Sequence, residues 1–139
     1  MQLVVTEKPS VAQAISHVIG AKERKDGYME GNGFLVSWCV GHLVELAQPE
    51  MYSEAWKKWS YESLPMIPEQ WQHEVKKETA TQYKILKNLM HDTRVESVVC
   101  ATDAGREGEL IFRLVYEQAG CRKPETHVRA LRFFLVGAL

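Results

Sequence analysis

Residues 95–112 read VESVVCATDAGREGELIF. The first half, Val95 to Thr102, has the length and apolar content of a buried strand, with Val95, Val98, Val99, Cys100 and Ala101 as its apolar positions. A helical pattern starts at Leu110 and runs to Ala119: Ile111, Leu114 and Val115 recur at helical spacing, and Gly120 closes it. Between the two lies a polar turn, Asp103-Ala104-Gly105-Arg106-Glu107-Gly108-Glu109. A strand that feeds a helix through such a turn makes an α/β fold the expectation.

The N-terminus repeats the arrangement. Leu3 to Thr6 is a short apolar run, and Pro9 suits the first turn of a helix because its missing N–H is not needed there. Val11, Ala14, Ile15, Val18 and Ile19 follow at helical spacing, and Gly20 is the expected stop. Glu7 and Lys8 therefore fall in the turn between strand and helix. Lys22 to Gly27 reads as a charged surface loop. Tyr28–Glu30 and Phe34–Val40 flank Asn32-Gly33, a strong hairpin signal. After Gly41-His42-Leu43 the stretch from Pro49 to Pro68 is irregular, and its Tyr52, Trp56, Trp59 and Tyr61 are expected to pack on the body of the domain. An aromatic platform for stacking DNA bases is the functional alternative. Thr79 to Met90 reads as an amphipathic helix with Ala80, Tyr83, Leu86 and Met90 inward, and His127 to Phe134 as a further strand. The order predicts a mostly parallel sheet flanked by helices, with a β-hairpin insertion. A single domain is expected over residues 1–130, followed by an apolar tail over 131–139.

The chain has 139 residues and a net charge of -1, which is not the basic signature of a free-standing nucleic-acid binder. Cys39, Cys100 and Cys121 have no metal-ligand spacing and read as buried free thiols. The five histidines likewise show no spacing that suggests zinc. The odd cysteine count and the absence of a charged, apolar leader lead us to expect a cytoplasmic protein. No apolar run approaches the ~20 residues of a membrane helix, so no membrane partner is expected.

Both strand-to-helix turns carry acids: Glu7 in the first, Asp103, Glu107 and Glu109 in the second. Functional groups in open α/β sheets gather at the carboxyl ends of strands. If the two strands are neighbours, Glu7 and Asp103 face one crevice, where hard oxygen ligands suit Mg²⁺. Lys8 and Arg106 would then contact a substrate phosphate. An acid at a helix N-terminus also gains about 0.3–1 kcal/mol from the helix dipole, so the residues alone leave a purely structural reading open.

Two motifs narrow the choice. Thr6-Glu7-Lys8-Pro9-Ser10 with Ala12, and Thr102-Asp103-Ala104-Gly105-Arg106-Glu107-Gly108-Glu109, resemble the two Toprim motifs of type IA DNA topoisomerases of the topoisomerase III kind. Gly41-His42-Leu43-Val44-Glu45-Leu46 resembles the segment those enzymes carry between the motifs. The resemblance implies a Rossmann-like Toprim fold and breakage and rejoining of single DNA strands. It implies Glu7 in acid–base and metal chemistry, Lys8 on the scissile phosphate, Arg106 orienting the site, and Mg²⁺ on Glu7, Asp103 and Glu107 with Glu109 nearby. His42, Lys8 and Arg106 become the expected DNA contacts, with a single-stranded region as the partner. The tyrosine nucleophile is expected in a later domain outside this chain, so that the chain alone is inactive. The family pattern has Asp-x-Asp where this sequence has Asp103-Ala104-Gly105, one carboxylate fewer. Two alternatives stay in view: a Toprim nuclease or primase-like enzyme, which needs no tyrosine, and a non-catalytic DNA-binding module, which that departure makes plausible.

Overall fold

A computed structural model describes residues 1–127. In chain order its elements are β1 (Gln2–Thr6), α1 (Pro9–Ile19), β2 (Glu23–Lys25), β3 (Tyr28–Gly31), β4 (Phe34–Trp38), β5 (Val44–Leu46), α2 (Pro49–Tyr52), β6 (His73–Val75), α3 (Ala80–His91), β7 (Ser97–Ala101), α4 (Arg106–Gln118) and β8 (Glu125–His127). Six strands form one sheet in the order β2-β3-β4-β1-β7-β8, and β5 and β6 form a separate pair. β1 lies at the centre, parallel to both β4 and β7, and β7 is parallel to β8. β2 and β3 extend the sheet antiparallel at one edge. The mostly parallel α/β architecture with a hairpin is therefore present.

Alternation along the strands divides the core into two layers. Leu3, Val5, Leu35, Val98 and Cys100 face one side, where Tyr83, Leu86 and Met90 of α3 and Ile111, Phe112 and Val115 of α4 cover them. Val4, Val36 and Ala101 face the other side, against Ala12 and Ile15 of α1. A strand buried on both faces has to be apolar throughout, which is why residues 3–5 show no polar alternation. Pro9 opens α1, and Gly20 closes it in the left-handed region at φ 83°. Asn32 and Gly33 both take positive φ, 50° and 82°, as a tight turn between β3 and β4 requires.

Four expectations change. Lys22–Gly27 is not all loop: Glu23–Lys25 pair with Tyr28–Glu30 as the edge strand β2. Its charged residues hid it, since a solvated edge strand needs no apolar face and gains protection from charge. The Asp26-Gly27 pair, itself a hairpin signal, could have revealed it. α4 begins at Arg106, not Leu110, so the acidic run forms its first turn. Trp59 and Tyr61 do not pack on the body; they are 78% and 98% exposed. The segment around them makes only short helical turns, with no regular face to seat a ring. The Tyr52 and Trp56 rings lie 6.2 Å apart, and the Tyr52 hydroxyl bonds the Gln72 backbone. The last strand starts at Glu125; the remainder of the expected strand 127–134 and the apolar tail 131–139 lie outside the described residues. No helix among the described residues is long and apolar enough to cross a membrane.

Candidate functional site

The first turn is fixed from both sides. The Thr6 hydroxyl donates to the Lys8 carbonyl at 2.9 Å, and the Cys39 amide donates to the Thr6 carbonyl at 2.8 Å. Thr6 is fully buried, while Glu7 is partly exposed and Lys8 exposed. The buried residue anchors the turn, and the two that follow are presented at the carboxyl end of β1.

The second turn lies beside it because β1 and β7 pair in register, Thr6 against Ala101. The neighbour relationship that the sequence left conditional is therefore met. The Gly105 amide donates to the Asp103 carbonyl at 2.8 Å, and the Glu109 amide to the Gly105 carbonyl at 3.1 Å. Gly108 is buried against this turn: a Cβ there would fall 2.1 Å from the Asp103 carbonyl oxygen. Only glycine lets the first turn of α4 sit this close to Asp103.

The charges divide into two groups. Burial raises the Glu7 carboxyl above its ordinary value, hydrogen bonding to Asp103 and the negative charge of Asp103 raise it further, Lys8 opposes, and Glu107 adds to the rise. Burial is thus the largest cause of the rise, and the negative charges of Asp103 and Glu107 both reach Glu7. His42 joins this group, its Nε2 paired with Glu107 Oε1. The fully buried Leu43 and nearly buried Val44 anchor the chain beside it, and β5 packs against α4.

Glu109 belongs to the second group. Arg113 Nη2 donates to its Oε1 at 2.9 Å, and His127 Nε2 meets its Oε2 at 2.7 Å. Burial pushes the Glu109 carboxyl up, but Arg113 and His127 together outweigh it and hold it below its ordinary value. Sequence reasoning missed Arg113, although the i, i+4 spacing from Glu109 is a helix-pair signal. It also missed His127, whose place depends on strand register.

Lys8 and Arg106 are exposed, and among the described residues neither lies within ion-pair distance of a carboxylate. Both cations are therefore free to meet a phosphate. A groove of about 520 Å³ opens along Thr102, Asp103, Arg106 and Glu109. Gly105 is extended at φ −159°, and an added Cβ would meet no atom within 4 Å, so the missing carboxylate has not been sterically replaced. The three cysteines are free and buried, as expected.

The Toprim domain profile matches residues 2–134. The chain is 46% identical over 121 residues to DNA topoisomerase 3 of Shouchella clausii (strain KSM-K16), a match covering 87% of this chain and 17% of that protein. It is 43% identical over 122 residues to DNA topoisomerase 3 of Staphylococcus epidermidis (strain ATCC 12228 / FDA PCI 1200), and 45% identical over 122 residues to that of Staphylococcus haemolyticus (strain JCSC1435). Each of these two matches covers 88% of this chain and 17% of the relative. The chain therefore spans about a sixth of the length of the curated relatives it matches, at the part homologous to their Toprim region. On the match over nearly its whole length, the chain belongs to the Toprim domain family.

Proposed function

We propose that this chain supplies the metal-binding and acid–base part of a type IA DNA topoisomerase, an isomerase that breaks and rejoins single DNA strands to relax or decatenate DNA. The observation that carries the reading is the convergence of Glu7, Asp103 and Glu107 at the carboxyl ends of two adjacent parallel strands. Like charges gathered around the partly buried Glu7 favour a cation among them, and an all-oxygen donor set suits Mg²⁺. When bound, the metal would neutralise and polarise the oxygens of a DNA phosphate. We leave Glu109 out of this set because its carboxylate is held by Arg113 and His127.

The residues divide the remaining work. Glu7, whose carboxyl is raised, holds or releases a proton beside the scissile phosphate. Lys8 and Arg106 bind its non-bridging oxygens and orient it. His42 fixes the rotamer of Glu107 and borders the path of a single-stranded DNA segment. The tyrosine nucleophile comes from another part of the full-length protein, which acts in the cytoplasm. Relaxation and nicking assays on supercoiled plasmid test this division. The purified chain with Mg²⁺ is expected to leave the plasmid unchanged, and the coding sequence beyond codon 139 to continue into a tyrosine-bearing region. Mg²⁺-dependent nicking by the chain alone would contradict the proposal and favour a nuclease.

A further inference from the structure

Cys100, Glu109 and His127 form a donor cluster that the acidic site does not use. The Cys100 thiol, a Glu109 carboxylate oxygen and a His127 ring nitrogen all lie within 4.8 Å of one another. Topology places them there. Cys100 on β7 and His127 on β8 are register partners on adjacent parallel strands, so their side chains leave the same face of the sheet. That face is the one α4 covers, and Glu109 lies in the first turn of α4.

The surroundings orient all three. Arg113 takes Glu109 Oε1 and leaves Oε2 toward His127. The Phe112 ring meets the imidazole edge-on, with centroids 6.2 Å apart. Cys100 also contacts the Thr102 hydroxyl at 3.3 Å. Cys100 is 4% exposed, whereas Glu109 and His127 are partly open to solvent. The cluster thus has a buried sulfur at its base and lines the groove beside Asp103 and Arg106.

The donor types decide the metal. Mg²⁺ takes oxygen ligands and has little use for a thiol. A thiolate, an imidazole and a carboxylate together suit Zn²⁺. Zinc bonds of about 2.0–2.3 Å imply ligand–ligand separations of roughly 3.3–3.8 Å in a tetrahedron. The Glu109 oxygen and the His127 nitrogen, now 2.7 Å apart, have to open by roughly half an ångström or more to admit the ion. The sulfur, within 4.8 Å of both, has to be approached by up to about an ångström. Both shifts are within reach of the partly exposed Glu109 and the exposed His127. Three protein ligands leave the fourth position to water or a substrate oxygen, the pattern of an open zinc site.

We infer that Cys100, Glu109 and His127 bind a divalent cation of the zinc class, with its fourth position open to the groove. The site shares no ligand with the Glu7, Asp103 and Glu107 cluster and does not rest on the topoisomerase reading. Binding releases the thiol proton to solvent.

Cobalt titration of the metal-free purified chain tests the inference, because a cobalt–thiolate bond gives a near-ultraviolet charge-transfer band. The band is expected at one equivalent and should disappear on addition of Zn²⁺. It should be absent in Cys100→Ser, at least roughly tenfold harder to saturate in His127→Gln, and retained in Glu7→Gln. Circular dichroism checks the buried Cys100 variant, and if that variant is misfolded the partly exposed His127→Gln decides. A wild-type chain without the band, or a band unchanged in His127→Gln, overturns the inference.

Discussion

Gly108 lies so close to Asp103 that a Cβ at position 108 would come 2.1 Å from the Asp103 carbonyl oxygen and 2.9 Å from its backbone nitrogen. Backbone cannot yield as a flexible side chain does, so any other residue at 108 separates α4 from the Asp103 turn. Gly108→Ala is expected to cost about 1–3 kcal/mol, as overpacking does, and to weaken Mg²⁺ binding by roughly tenfold or more. Denaturant unfolding and metal titration measure the two effects. Unchanged values in both would mean that the helix start does not position Asp103.

Glu7 gives a pH signature. Its folded-state carboxyl titrates above the ordinary value of 4.5, so ionising it costs more in the folded chain than in the unfolded one. That cost is fully present above the raised folded value. It fades as pH falls toward the unfolded value, and is absent below it. Glu7→Gln should therefore stabilise the metal-free chain at pH 7 to 8, with the gain vanishing below about pH 4. Thermal melts across that range would reveal it, and a variant less stable than wild type at pH 7 would mean that ionised Glu7 carries no penalty in the folded chain.

Position 105 can accept a side chain without strain, because the backbone is extended and an added Cβ meets nothing within 4 Å. Gly105→Asp should supply a further hard oxygen ligand and tighten Mg²⁺ binding by about tenfold. Calorimetric titration gives the answer; equal affinities would show that Gly105 costs the site nothing.

Lys8 and Arg106 are exposed cations in or beside the two turns that carry Glu7 and Asp103. Alanine at either should weaken binding of a single-stranded oligonucleotide regardless of its sequence. Each should also lower the slope of log affinity against log salt by about 0.7, the share of one phosphate contact on a single strand. Fluorescence anisotropy at several salt concentrations reads both quantities. A slope that stays constant in both variants would remove them from the phosphate path.

Much of the fold was legible because its signals are local. The apolar run at 3–6 with Pro9 behind it, the Asn32-Gly33 turn and the Val95–Thr102 run each announce themselves within a few residues. The acidic turns were legible for the same reason, as was the resemblance they carry. What the sequence could not show depends on pairing across distance. β5 with β6 joins Val44 to Val75, and β7 with β8 sets Cys100 beside His127. Neither follows from periodicity, so the histidines looked unrelated to any thiol. The separation of Glu109 from Glu107 had a similar cause. Both sit in one acidic run, but the helix that starts at Arg106 turns one toward His42 and the other toward Arg113 and His127.

Whether Glu7, Asp103 and Glu107 hold one divalent cation can be read from manganese titration of the purified chain, followed by electron paramagnetic resonance of the free ion. One saturable site displaced by Mg²⁺ is expected, weakened roughly tenfold or more in Asp103→Asn and in Glu7→Gln, and little changed in Glu109→Gln. Manganese binding that is indifferent to both Asp103→Asn and Glu7→Gln would contradict it.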